Sequence, residues 1–581
     1  MPHTVSSSTC LSASDQTPST PPSGPGRGVL AVVFLATLGV YLLAAVRMLP
    51  YVEPPTGDQP HYLMQVISLV EDGDLNLRNN YTTAESYSQF SAPGRRREGF
   101  RGIPVSYPIE PTGHIVIRST DAGEVWYPKH SPGLPVLLVP GWLLGQALTP
   151  LLRGLTALGN GAWPGTVVEL SIVGALLGAQ VFLLAWEVTG RRAIAFTVWA
   201  AVSFSAPQLL LSLLVYPEIV AALLLAYAFR HLVVRPLPTQ AWRLLLVGLA
   251  LAGLPWLNPR FVLVSGGLAL LAIVGLWRTT RGLSFVSRRL TSAKATWERG
   301  DLRRPGAEDE GGQDGRAPRG LPALAVPLGL LLGPLVVSAA ALRWYQLAVH
   351  GSSLAIADQY EGFFVPTMVD GRLGADWQAL LLATAGLFVD RQYGLLVVAP
   401  VYALAVVGIV ALWRCPEYRW TVIGLGVIAV PYMVLTADFR VWWGGWSPPA
   451  RYLAVLTPLL AAPLARSLLA LAGNRPYQVV FGVLTGFGFL VVAALLYQLG
   501  DPEIDQAILS NPSRNPALLR WLVLRFGFDL PQLLPATASW FGDRRGPIPW
   551  LQIGGYLALL GVLVGLAIRA LPPRRRAPAP E

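Results

Sequence analysis

Twelve stretches of this chain are apolar over roughly the 18–22 residues that carry an α-helix across a bilayer, and that pattern leaves few folds open. They fall at 28–46, 166–187, 194–214, 217–234, 243–259, 261–277, 321–342, 394–413, 420–436, 452–471, 477–497 and 550–570. Lipid offers backbone amides no partner, so a spanning segment must be a helix or a strand of a closed barrel, and uninterrupted runs of this length fit helices. The expected fold class is an all-α polytopic membrane protein of about twelve transmembrane helices. Composition agrees: the 581 residues are 53% hydrophobic and only 13% charged, against roughly 25% charged in a soluble domain.

A thirteenth apolar run, 133–151, carries Pro135, Pro140 and Pro150 with Gly141 and Gly145. The positive-inside rule decides how to read it. If it lies at the interface, one side of the membrane collects Arg191–Arg192, Arg230–Arg235, the 278–320 segment with its ten Lys and Arg residues, Arg414–Arg419, Arg475 and Arg574–Arg576. If it spans, all of these move outside. It is therefore expected to be an interfacial helix, with both termini cytoplasmic and the segments 51–132, 343–393, 437–451 and 498–549 facing outward. The resulting domains are a disordered tail at 1–27, an N-terminal membrane module at 28–277, a polar linker at 278–320, a C-terminal membrane module at 321–571 and a basic tail at 572–581.

The net charge is +11, with only two lysines, Lys129 and Lys294. Arginine spread over many short loops does not make a nucleic-acid surface. Arginine-rich, lysine-poor usage beside abundant Ala, Gly and Pro points to a GC-rich bacterial genome, hence a bacterial plasma membrane. Cys10 and Cys415 are the only cysteines, one in a tail and one in a short cytoplasmic loop, so no disulfide is expected.

The outward loops hold the chemistry. After the first apolar run the chain reads Tyr51-Val-Glu-Pro-Pro-Thr-Gly-Asp-Gln-Pro-His-Tyr62, with Glu53, Asp58 and His61 in one membrane-proximal stretch. Asp58 sits just before a short amphipathic helix, about 61–71, which carries Leu63, Val66, Ile67 and Val70. Helix capping is the ordinary explanation for an acid there, and a catalytic or orienting role is the other. Lys129 and His130 stand where the loop returns to the membrane, either as solvated surface groups or facing a phosphate. Tyr216-Pro-Glu218 and Asn258-Pro-Arg260 place an acid and a cation at two further outward junctions. Arg440-Val-Trp-Trp-Gly-Gly-Trp-Ser-Pro-Pro-Ala-Arg451 packs two arginines among Trp442, Trp443 and Trp446. Tryptophans at an interface are ordinary anchors, but ionisable groups near membrane depth are costly and often functional, and Arg451 could hold a phosphate bidentately.

In order and membrane placement, these residues resemble the GT-C glycosyltransferases, membrane enzymes that use polyprenyl-phosphate sugars and include the protein mannosyltransferase and aminoarabinose transferase branches. The resemblance rests on Gly57-Asp58-Gln-Pro-His-Tyr62, Pro132-Gly-Leu-Pro135, Tyr216-Pro-Glu218, Asn258-Pro-Arg260 and Trp446-Ser-Pro-Pro-Ala-Arg451. It covers most of the first 280 residues in layout and a few motifs thereafter. It implies Asp58 as catalytic base, Glu218 as a second acid and Arg260 as a contact to the lipid phosphate. His61, Lys129, His130, Arg440 and Arg451 complete the expected substrate-binding set. Gln59 stands where the family often has a second acid, so the resemblance implies no required metal, and no cofactor is expected. The implied partners are a polyprenyl-phosphate-linked sugar donor, a glycan, lipid or protein acceptor and the lipid bilayer, with no nucleic acid. The competing readings are a transporter or flippase of a lipid-linked glycan, which predicts polar residues at mid-membrane depth, and a non-catalytic membrane scaffold, which leaves the outward acids and arginines unexplained.

Overall fold

A computed structural model of the chain describes residues 24–49, 57–82, 113–121, 123–152, 161–235, 240–278, 322–351, 377–439, 441–445, 447–498, 533–538 and 548–573. Glu53, Arg440, Trp446, the 278–320 linker beyond its first residue and most of 498–549 fall outside them. The principal helices are α1 (Arg27–Met48), α2 (Gln59–Ile67), α3 (Gly133–Leu152), α4 (Ala162–Thr189), α5 (Arg192–Ser203), α6 (Glu218–Phe229) and α7 (Ala241–Leu257). They continue as α8 (Phe261–Arg278), α9 (Pro322–His350), α10 (Trp377–Val389), α11 (Ala405–Arg414), α12 (Arg419–Asp438), α13 (Ala461–Ala470), α14 (Arg475–Gln498) and α15 (Trp550–Arg569).

Among the described residues, eight helices are long and apolar enough to cross a membrane, and five shorter apolar helices accompany them. The chain is thus a multi-pass membrane protein whose described residues are mostly helical. The apolar runs are more continuous than the helices they form. The run 194–214 breaks after α5, 394–413 breaks into a short helix, a 3-10 turn at Pro400–Leu404 and α11, and 452–471 opens with 3-10 turns at Tyr452–Val455 and Thr457–Leu460. Pro207, Pro400 and Pro458 stand at these breaks, where proline removes a helix hydrogen bond and clashes with the preceding turn. The segment 343–393, read as a loop, is partly helical: α9 runs on to His350 and α10 is an apolar helix with Leu382 and Leu387 buried. Thirteen residues fall short of a span, which is why a span-length window passes over α10.

α4 is the central helix. Of the eight span-length helices it is the most enclosed, 56% of its apolar window being buried, against 6% for α9. α1 runs antiparallel to it. A Cβ on Gly178 would meet the side chain of Thr37, and one on Gly174 would meet Tyr41. The C-terminal end of α1, which leads to Asp58, therefore lies beside the N-terminal end of α4. Such close approach through small residues is how helices associate where lipid competes equally for apolar surface.

α3 qualifies as a span by length and composition, and it packs antiparallel on the first turns of α4. A Cβ on Gly133 would lie 2.5 Å from the carbonyl oxygen of Trp256, near the end of α7 that leads to Arg260. At the other end the Thr149 hydroxyl accepts the N–H of Gly161, just before α4 begins, at 2.9 Å. Between them Gly141 and Gly145 press on Gly161 and Gly165.

Among the described residues the strands form one antiparallel hairpin, β1 (Ile115–Thr120) and β2 (Gly123–Pro128), which the helix-period reading passes over. Its signal is local: β-branched and aromatic residues flank a turn that Gly123 closes at φ 115°, a value open to glycine and few others. The Leu77 N–H donates to the Trp126 carbonyl at 2.8 Å and the Trp126 N–H to the Asn76 side chain at 3.0 Å, tying the hairpin to the segment that follows α2.

Candidate active site

Asp58 occupies the residue before α2, the place where an acid would cap a helix, but its side chain makes no capping hydrogen bond. The carboxylate turns instead to Arg451, whose Nη2 lies 2.8 Å from its Oδ2. α2 itself is fully buried along all nine residues. Its first residue, Gln59, accepts the Val215 N–H at 3.0 Å, which fastens the start of α2 to the Tyr216-Pro-Glu218 junction.

Glu218 is the first residue of α6 and is completely buried. Its Oε1 accepts the Nε of Arg451 at 2.8 Å, and its Oε2 has no partner among the described residues. Arg451 is 2% exposed and fully engaged: Glu218 and Asp58 take Nε and Nη2, the Gly444 carbonyl accepts from Nη1 at 3.3 Å, and the Tyr216 ring centre lies 4.1 Å from the guanidinium carbon. The turn that supplies Gly444 needs glycine, since φ is 97° and a Cβ would lie 2.4 Å from the Ser447 hydroxyl. Ala450, directly before Arg451, holds a left-handed φ of 56°, a conformation that costs an L-residue roughly 1–2 kcal/mol.

Arg260 and Arg451 both pack against Tyr452. The Arg260 guanidinium carbon lies 4.0 Å from that ring's centre, and Arg451's lies 5.4 Å away. The Asn258 side chain accepts from the Nε and backbone N–H of Arg260 at 3.0 and 3.1 Å. Among the described residues the terminal nitrogens of Arg260 make no hydrogen bond or ion pair, so of Arg260 and Arg451 it is the one with donors to spare.

The hairpin brings in the histidines. Its register pairs Ile115 with Pro128, and the Lys129 N–H carries the ladder one step further by donating to the His114 carbonyl at 2.9 Å. His114 and His130, sixteen residues apart, thereby meet at the hairpin's base, Nδ1 to Nε2 at 2.9 Å. His61, from α2, stacks on His114 with ring centres 3.5 Å apart and planes within 9°, and its Nδ1 hydrogen-bonds the Tyr81 hydroxyl at 2.7 Å. His130 also packs on Tyr62. Asp58, His114 and His130 form a group whose ligand-type atoms lie within 4.8 Å of one another.

Burial sets the charge state of this cluster. It pulls the His130 imidazole down to about 4, with His114, Arg451 and Lys129 adding to the effect and Asp58 opposing it. Burial likewise draws His61 well below the usual imidazole range and lowers His114, so the three rings are neutral near pH 7. It also lowers the Lys129 ammonium. For Asp58 burial pushes the carboxyl up, but Arg451, followed by His130 and His114, holds it well below the usual carboxylate range.

The structure thus gathers Asp58, Glu218, Arg451, Arg260, His61, Lys129 and His130 at one end of the bundle. Arg440 lies outside the described residues. His114 went unread in the sequence, although three of the six histidines fall within one extramembrane stretch. Trp442 is 1% exposed and packs on Gly386 of α10, where a Cβ would lie 2.2 Å from its ring. It is a wedge within the protein and does not reach lipid.

No protein-family model matches the chain, and no curated protein sequence does. Among solved structures, ArnT from Cupriavidus metallidurans bound to undecaprenyl phosphate aligns over 94% of this chain and 78% of that chain, at 12% identity and a TM-score of 0.37. At that score the likeness carries no weight for fold or function. What the chain's own residues establish is a multi-pass helical membrane protein with a carboxylate–arginine–histidine cluster, built round the buried Glu218 and Arg451, at one end of its bundle.

Proposed function

We propose that the chain is a GT-C-like membrane glycosyltransferase that moves a sugar from a polyprenyl-phosphate donor to an acceptor hydroxyl on the extracytoplasmic side. The observation that carries this reading is Asp58. It forgoes the cap of its own helix and is drawn, with Glu218, onto one buried arginine, 2.8 Å from each. An acid serving only α2 would not be so placed.

The chemistry assigned to the cluster is a single displacement. Asp58 takes the proton of the acceptor hydroxyl as that oxygen bonds the anomeric carbon. The bond from that carbon to the phosphate oxygen breaks with oxocarbenium character. The leaving polyprenyl phosphate is already ionised and requires no general acid, and attack from the opposite face inverts the anomeric centre. Arg260, with its terminal donors open, is the better-placed cation for the phosphate. Its stabilisation of the departing anion in a water-poor site is the kind of effect that dominates catalysis. Arg451 restrains Asp58 in the structure. As donor phosphate draws on the Arg451 charge, the hold on Asp58 relaxes and its basicity rises.

A transport path along the spans finds less support. The two acids within α4 are both engaged locally, Glu169 accepting the Gly141 N–H at 2.9 Å and Glu187 pairing with Arg230 at 2.6 Å. The direct test is an Asp58→Asn variant assayed in membranes with a labelled polyprenyl-phosphate sugar. Wild-type transfer by that variant would refute the assignment.

A further inference from the structure

We propose that Asp58, His114 and His130 form a site for one divalent transition-metal cation of the Zn2+ class. Each offers one ligand atom, and these atoms lie within 4.8 Å of one another. Beside Asp58 the chain has Gln59 and no second acid. The additional ligands come instead from the base of the hairpin, some fifty and seventy positions further along.

The spacing suits a cation held between the two rings. His114 Nδ1 and His130 Nε2 are 2.9 Å apart. Two imidazole nitrogens on one zinc, at about 2.0–2.1 Å each with a tetrahedral angle, stand about 3.3 Å apart. The rings need to part by only a few tenths of an ångström. The hairpin register, with the Lys129 N–H on the His114 carbonyl, sets His114 opposite Lys129 and so brings the next residue, His130, beside it. Ligand atoms are thus preassembled by main-chain pairing, not by a flexible loop.

The surroundings orient each ligand. Arg451 holds Asp58 Oδ2 at 2.8 Å, which leaves the other carboxylate oxygen for the cation. His61 lies flat on His114 and is itself fixed by the Tyr81 hydroxyl. Partners of this kind set ring orientation and typically change metal affinity by about 10–100-fold. Two nitrogens and one carboxylate oxygen match zinc and its neighbours, whereas magnesium and calcium call for oxygen ligands. Three protein ligands leave a coordination position open to water or substrate. The site stands on this cluster alone and not on the glycosyl-transfer reading. The cation would share the carboxylate that serves there as base, so metal binding is to be measured without any transfer assay.

The experiment uses full-length protein in detergent, stripped with a chelator and titrated with Zn2+ by calorimetry, and with Co2+ by visible absorption. One Zn2+ per chain is expected, with the intense visible band of low-symmetry Co2+. His114→Gln and His130→Gln keep hydrogen-bonding side chains but are poor zinc ligands. Each should weaken Zn2+ binding at least about tenfold and dim the Co2+ band, while His350→Ala, at the end of α9, leaves both unchanged. Should one glutamine variant fail to fold, the Zn2+ stoichiometry of the wild type and the affinity of the other variant still decide. Well under one equivalent of Zn2+ bound by the folded wild type, or equal loss in the His350→Ala variant, would overturn the proposal.

Discussion

Glu218 and Arg230 stand at opposite ends of one helical stretch, α6 and the π turn that continues it, and the charge clusters around them are built in opposite proportions. At the Arg230 end two arginines share one carboxylate. Arg230 reaches Glu187 through Nε and Nη2 and reaches Gln180 through Nη1, and Arg235 adds a longer contact of 3.5 Å. At the Glu218 end two carboxylates share one arginine, and one buried carboxylate oxygen is left without a partner among the described residues. The first arrangement satisfies its acid several times over, which is what a structural lock requires. The second leaves acceptor capacity beside neutral imidazoles, which is what a site awaiting a proton, a hydroxyl or a cation requires. Buried ion pairs perturb protonation in both structural and functional settings, so the proportion of partners is the more telling feature.

Breaking the comparison at its centre should have the largest effect. Arg451→Ala strands the fully buried Glu218 carboxylate and frees the partly exposed Asp58. It is expected to destabilise the protein by about 3–5 kcal/mol, the range for removing one member of a buried pair, and to abolish transfer, as read by thermal unfolding in detergent and by the labelled-donor assay. Asp58→Asn should leave the unfolding temperature close to wild type while transfer falls by roughly 10²–10⁴-fold, the usual contribution of a general base. Arg230→Ala is the matched change at the other end. A loss of about 3 kcal/mol is expected there, at the low edge of the same range because Arg235 remains beside Glu187, with transfer per folded molecule unchanged. If that variant lost transfer while remaining folded, the contrast between lock and site would fail.

Two smaller effects sharpen the picture. Arg260→Ala should raise the apparent KM for the lipid-phosphate donor by roughly tenfold, about the worth of one charge-assisted contact, with little change in unfolding temperature. An unaltered KM would move the phosphate contact elsewhere. Arg235→Ala should be the mildest. Its side chain is 43% exposed, and solvent-screened pairs contribute about 0–1 kcal/mol, so unfolding of this variant should be nearly indistinguishable from wild type.

Much of the membrane architecture was legible from the residues, because the bilayer enforces length and apolarity directly. α1, α4, α8, α14 and α15 lie close to their apolar runs. What was not legible follows from forces a hydropathy window does not see. The run 452–471 is largely apolar, yet Pro458 and the turns before it break the helix near Arg451. The hairpin at 115–128 is too short and too polar to register among spans, and with it His114 was missed.

The sequence by itself determined that this chain must fold as membrane helices and that acids and arginines would sit at helix junctions, since both follow from what lipid tolerates. It also named Asp58, Glu218, Arg260 and Arg451 as residues of interest, each from its own local context. Only the tertiary structure decided which of them meet. Arg451 reaches Glu218 across 233 positions, and no periodicity or spacing encodes a contact of that range. The same holds for the histidines, where a strand register placed His114 opposite Lys129 and hence beside His130, and a helix start turned Asp58 toward both. Composition dictates which groups are costly to bury. The packing of distant segments decides which of those groups are buried together.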